Sequence, residues 1–113
     1  MTKKTFDSVD PSTEKKIAQV ASASEEDVNI AVSAAREALN GKWKKVSGYE
    51  RGILINKLAD AIEKSKEELI NIECTDNGKP RHYAAIDIDF SISLFRYYAG
   101  AAERLEGTSF SRD

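Results

Sequence analysis

Cysteine is almost missing from this 113-residue chain: Cys74 stands alone. One thiol cannot close an internal disulfide, so a stapled secreted mini-protein is not expected and a reducing compartment is. Proline occurs twice and glycine six times, and the glycines at 41, 48, 52, 78, 100 and 107 form neither a phosphate loop nor a dinucleotide fingerprint. No run approaches the roughly 20 apolar residues of a membrane span. The opening residues Met1–Asp7 carry no apolar stretch of the secretory-leader kind. Charge of one sign is lacking too. Lys and Arg number 17 against 19 Asp and Glu, a net of −2, which excludes the strongly basic footprint of a usual nucleic-acid binder. The cytosol is the expected compartment, with neither a membrane nor a nucleic acid as partner.

What is present suffices for one domain with a thin core, because 41% of residues are hydrophobic but 32% are charged on a short chain. Phe6 and Val9, the turn residues Asp10-Pro11-Ser12-Thr13, and then Ile17, Ala18 and Val20 read as a hairpin over about residues 5–20. A hairpin this small is marginal in water and must pack on something. Ser24, followed by Glu25, Glu26 and Asp27, opens a helix over about 25–39 with acidic charge at its positive end, and Asp27 stands at the capping-box position, although that box prefers Glu or Gln. Its stripe is Val28, Ala31, Val32, Ala35, Ala38 and Leu39. Asn40-Gly41 is expected to stop it in the left-handed conformation. Ser47 with Glu50 makes a capping box for a helix over about 48–75, whose stripe is Leu54, Leu58, Ala61 and Ile62, broadened by Ile55. Ser65 with Glu68 repeats the capping spacing, so that helix either breaks there or runs through. Asp76-Asn77-Gly78-Lys79-Pro80 ends it, since glycine caps and proline cannot continue.

The last segment carries two conflicting periods. Ile86, Ile88, Phe90, Ile92 and Leu94 alternate with Asp87, Asp89, Ser91 and Ser93, a strand signature. Ile88, Ile92, Phe95, Ala99 and Ala102 also recur at helical spacing, beside a row of Leu94, Tyr98, Ala101 and Leu105. The alternation fails after Leu94 and the helical register does not. The expectation is therefore a helix over about 84–105, closed by Gly107. The fold class is mainly α with a small N-terminal β-hairpin.

Few residues invite chemistry. Cys74 and His82 are single copies eight apart, short of the three or four ligands zinc requires. Cys74 lies near the C-terminal end of a helix, where the dipole opposes a thiolate, so a small apolar filler is its expected role. Asp87 and Asp89 diverge by about 200° on a helix and cannot share a substrate. Arg96-Tyr97-Tyr98 resembles a stacking platform for bases, but one cation beside two tyrosines is ordinary helix packing.

Several collinear words nevertheless resemble the opening region of the NAD(P)-dependent aldehyde dehydrogenase superfamily, especially its broad-specificity class 1 and 2 members. They are Phe6-Asp7-Ser8-Val9-Asp10-Pro11-Ser12-Thr13-Glu14, the run from Glu26 to Arg36, Trp43, Glu50-Arg51-Gly52, the run from Leu54 to Glu63, Asp76-Asn77-Gly78-Lys79-Pro80, and Phe95-Arg96-Tyr97-Tyr98-Ala99-Gly100. One departure is Ala101, where such enzymes usually carry Trp.

The resemblance implies the opening part of the α/β dinucleotide-binding domain of an enzyme that oxidises aldehydes to carboxylates through a cysteine thiohemiacetal and hydride transfer to NAD or NADP. It also implies that residues 1–113 lack the catalytic domain. No Gly-Gln pair precedes Cys74, so this cysteine does not inherit the nucleophile's role. The Glu-Leu-Gly-Gly-Lys and Pro-Trp-Asn words are missing as well. This chain alone is thus expected to bind no cofactor and to depend on the remaining domains of an aldehyde dehydrogenase or on a homologous subunit. The alternative is a non-catalytic helical interaction module from a truncated paralogue. Two site assignments follow from the resemblance. Ser8 and Val9 carbonyls with Asp76 match a monovalent-cation site, against an Asp that simply caps its turn. Phe90 matches a position lining the substrate entrance, against plain helix packing.

Overall fold

The computed structural model describes residues 4–109. Strands β1 (Thr5–Val9) and β2 (Lys16–Ala21) pair antiparallel as a hairpin. Asp10 builds its turn by accepting from the Ser12 backbone N–H at 2.8 Å, the Ser12 hydroxyl and the Thr13 hydroxyl. Glu14 follows at φ 59°. Ser8 opposes Ala18 while Val9 opposes Lys16, so Ile17 is the extra residue of a β-bulge, which bends the strand.

Helix α1 (Glu25–Asn40) starts from a complete capping box. The Ser24 N–H donates to the Asp27 carboxylate at 3.0 Å, and the Asp27 N–H donates to the Ser24 hydroxyl. The shorter Asp side chain thus serves where Glu or Gln is usual. The expected left-handed stop is corrected: Gly41 sits at φ −92°, and the chain passes directly into a 3-10 turn over Lys42–Lys45. A tight turn continuing from the last carbonyls needs no left-handed residue.

Helix α2 (Gly48–Lys64) opens with the Ser47–Glu50 capping box. The helix expected over 48–75 is in fact two. Ser65 interrupts it at φ −97°, ψ 11°, and α3 (Lys66–Asn77) follows without a side-chain cap from Ser65. Gly78 closes α3 in the left-handed conformation at φ 73°. Helix α4 (Arg81–Ala101) then runs antiparallel along α2 and α3, since Arg81 pairs with Glu67, Lys66 with Asp89, and Arg96 with Asp60 and Glu63. The helical register thus wins over the strand alternation. The bounds shift from the expected 84–105, however. Pro80 accepts the first helical N–H groups, and at the far end Arg104 takes the Ala101 and Gly100 carbonyls. Helix α4 ends beside Gly48, where α2 begins, so a longer helix would have no neighbour to pack on.

The core is a narrow seam between α4 and the α2–α3 pair: Gly52, Ala59, Ile70, Ala84, Ile92 and Ala99. The expected α2 stripe is corrected in part: Leu54 and Leu58 are 44% and 47% exposed and Ala61 is exposed too, Gly52 and Ala59 are buried in their place, and Ile55 and Ile62 are half-buried as expected. Small residues win the seam because the two backbones nearly touch: a Cβ at Gly52 would lie 2.6 Å from the Ala99 carbonyl oxygen. Helix α1 buries no residue. The radius of gyration is 19.5 Å, whereas a compact chain of this length has about 13 Å.

Candidate functional site

The hairpin meets the helical body at the end of α3. The Ser8 hydroxyl donates to the Asp76 carboxylate at 2.9 Å, and the turn glycine Gly78 faces Pro11, with its Cβ position 3.0 Å from the proline Cγ. Between them lies a cleft of about 410 Å³ lined by Ile17, Ala18, Val20 and Ile72, with Ser8 and Asp76 at its wall. The Ser8 hydroxyl bond thus brings the β1 backbone at Ser8 and Val9 beside the Asp76 carboxylate, with Val9 the next residue in β1, across the bulge from Ser8. A carboxylate, a hydroxyl and nearby strand carbonyls are hard oxygen donors, the chemistry a hard cation takes. Among the described residues no group of three or more His, Cys, Asp and Glu could hold a metal, so a site here would rely on carbonyl oxygens.

Asp76 does not close the turn. Asn77 does, accepting the Lys79 N–H at 2.9 Å while its amide donates to Glu73 at 2.7 Å. The Lys79 ammonium in turn bridges Glu73 at 2.7 Å and Asp87 at 2.5 Å. That bond holds the Glu73 carboxyl below its usual range, with help from Asn77, and the Asp87 and Glu73 carboxylates raise Lys79 above its own. Sequence reasoning missed this cluster. The signal was the Asn-Gly pair, whose Asn side chain readily bonds the backbone two residues on.

The other candidates separate. Asp87 goes to Lys79 and Asp89 to Lys66, so the two carboxylates do diverge. Arg96 is taken by Asp60 and Glu63, leaving Tyr97 and Tyr98 in an edge-on pair with centroids 5.2 Å apart. His82 lies against Tyr83 at 3.9 Å. Cys74 is half-buried on α3. Phe90 is 62% exposed on α4, so it does not pack that helix onto α2 or α3.

The β2–α1 junction is a poor seat for a dinucleotide's pyrophosphate. The strand-to-helix junction from β2 into α1 contains no glycine and places Glu25, Glu26 and Asp27 in the first turn, where a pyrophosphate requires unopposed N–H groups.

The sequence profile of the aldehyde dehydrogenase family matches residues 1–113. An aldehyde dehydrogenase of Emericella nidulans is 50% identical over 104 residues, which cover 92% of this chain and 21% of that protein. Among solved structures, an aldehyde dehydrogenase from Bacillus cereus superposes with a TM-score of 0.92 at 43% identity, covering 97% of this chain and 23% of that one. A betaine aldehyde dehydrogenase from Staphylococcus aureus, in complex with NAD+, superposes with a TM-score of 0.91 at 31% identity, covering 97% and 22%. The chain thus spans about a fifth of the length of the relatives it matches.

Proposed function

The chain belongs to the aldehyde dehydrogenase family, and from that membership we propose that it supplies the hairpin-and-helix portion of an NAD(P)-dependent aldehyde dehydrogenase. In this reading the complete subunit oxidises an aldehyde to a carboxylate, and residues 1–113 carry neither the nucleophile nor the dinucleotide site. The partner is the remaining domains or a homologous subunit, and the cytosol is the compartment. No helix of the described residues is long and apolar enough to cross a membrane.

One observation carries the reading. The chain exposes 9466 Å², where a compact monomer of its mass exposes about 6,200 Å². The exposed surface includes large apolar side chains: Phe6, Val20, Val28, Ile30, Val32 and Leu39 on the hairpin and α1 all face solvent. Such a surface calls for a partner, and relatives about five times longer have the chain to provide one. The purified chain is expected to form no NADH from acetaldehyde and NAD, because no activated thiolate meets a positioned nicotinamide. Turnover abolished by Cys74→Ala would overturn the reading and make Cys74 a nucleophile.

Within that enzyme, Asp76 with the Ser8 and Val9 carbonyls would hold a monovalent cation, a reading supported by the 2.9 Å bond from the Ser8 hydroxyl that brings β1 beside the Asp76 carboxylate. Potassium titrated at constant ionic strength should raise the thermal stability of the wild type and not that of Asp76→Ala. Equal shifts in both would remove the site. Phe90 would line the substrate entrance, supported by its exposure; Phe90→Ala should then change KM for bulky aldehydes more than for acetaldehyde.

A further inference from the structure

We propose that Lys79 is a positioning residue that holds Asp76 in place to receive the β1–β2 hairpin. The proposal deepens the reading of Asp76 as a cation ligand and rests on it only for its consequence in the enzyme. The geometry itself is independent of any ion.

The hairpin docks through two contacts at one junction, Ser8 to Asp76 and Pro11 to Gly78. Asp76 lies in the last turn of α3 and Gly78 is its cap, and a helix end frays unless something ties it. Five bonds tie this one. Lys79 Nζ joins Glu73, one turn back in α3, to Asp87 in α4. Asn77 Nδ2 reaches the same Glu73 oxygen, and the Lys79 N–H returns to Asn77 Oδ1. The Gly78 N–H then caps Cys74 O at 3.0 Å. Lys79 therefore fixes the α3 end from both sides, to its own helix and to α4. Asp76 sits inside that loop of bonds, between Glu73 and Asn77, and points its carboxylate at Ser8. Among the described residues Lys79 bonds Asn77, Glu73 and Asp87 and nothing in the hairpin, so its influence on β1 and β2 must pass through the turn. An ammonium is well suited to this, since its three donors let one side chain hold two carboxylates at once.

Acting through Asp76 has a signature that a general stabilising role lacks: the two residues must be non-additive. Amide hydrogen exchange of the 113-residue chain, followed by mass spectrometry in a tetramethylammonium buffer, reads the hairpin and the helical seam separately. Working in that buffer makes the result independent of the potassium titration described above. Lys79→Met should speed exchange over Thr5–Ala21 about five-fold, as loss of two partly exposed ion pairs implies, with the α2 and α4 amides unchanged. Lys79→Arg, which keeps the charge, should restore hairpin protection. Asp76→Ala should speed the hairpin by at least as much, and adding Lys79→Met to it should change nothing further. Full additivity in the double variant would overturn the proposal, as would equal acceleration of hairpin and α2–α4 seam in Lys79→Met.

Discussion

Gly52→Ala tests the closest contact in the fold. In an isolated helix the change is favourable, since alanine exceeds glycine in helix propensity by about 1 kcal/mol. Here the new methyl would meet the Ala99 carbonyl oxygen at 2.6 Å, where ordinary contact begins at 3.4 Å. Backbone is the obstacle, so no rotamer can relieve it. The helices must separate by about 0.8 Å, the difference of those two distances. Overpacking of this kind costs about 1–3 kcal/mol, and the separation also loosens Ala59, Ile92 and Ala99 along the same seam. The propensity gain offsets about 1 kcal/mol of this, so net destabilisation should be up to about 2 kcal/mol. Urea unfolding followed by far-ultraviolet circular dichroism should show a midpoint lower by up to about 1 M at unchanged slope. Gly100→Ala is the control. Its Cβ would meet only the Arg104 guanidinium at 3.6 Å, so the substitution should raise the midpoint by the equivalent of about 0.5 kcal/mol. If both variants raise the midpoint alike, the close approach of α2 and α4 is wrong.

Three further outcomes are expected. Asp7, Asp10, Glu50 and Glu73 are held below their usual ranges, by the Lys16 ammonium, by Ser12, by the Ser47 N–H and by Lys79 respectively. The unfolded chain, with carboxyls near about 4, binds more protons than the folded one, so stability should be full above about pH 5 and fall as acid protonates the lowered groups; a urea midpoint independent of pH between about 7 and 3 would contradict this. Ser47→Ala removes a cap whose hydroxyl accepts the Glu50 N–H at 3.1 Å and should cost about 1 kcal/mol, and Glu50→Ala should add little to it because the two form one box. The chain should bind anilinonaphthalene sulfonate at neutral pH and unfold over a broad thermal range, and a sharp transition without dye binding would mean that α1 and the hairpin find cover within the chain.

The sequence alone carried the parts of this protein that depend on neighbours a few residues apart. Both capping boxes, at Ser24 and Ser47, were legible because donor and acceptor lie three residues apart. So was the Gly78 stop, because only glycine takes φ 73° without strain. The helical register of α4 was legible in its full length, and the structure shows why the alternation misled: Asp87 and Asp89 turn outward to Lys79 and Lys66, while Ile92 enters the seam. Family membership was also readable, since collinear words need no coordinates. Tertiary structure decided the rest. Which face of α2 is buried could not be read from hydrophobicity, because Leu54 and Leu58 outweigh Gly52 and Ala59 on any such scale; the seam chooses small residues because two backbones approach there. The end of α4 at Ala101 was set by where α2 begins. At the junction, a carboxylate and an amide side by side look interchangeable as turn residues. Their division of labour, Asn77 to the turn and Asp76 to Ser8, exists only because a strand 68 positions away and Lys79 meet at the same helix end.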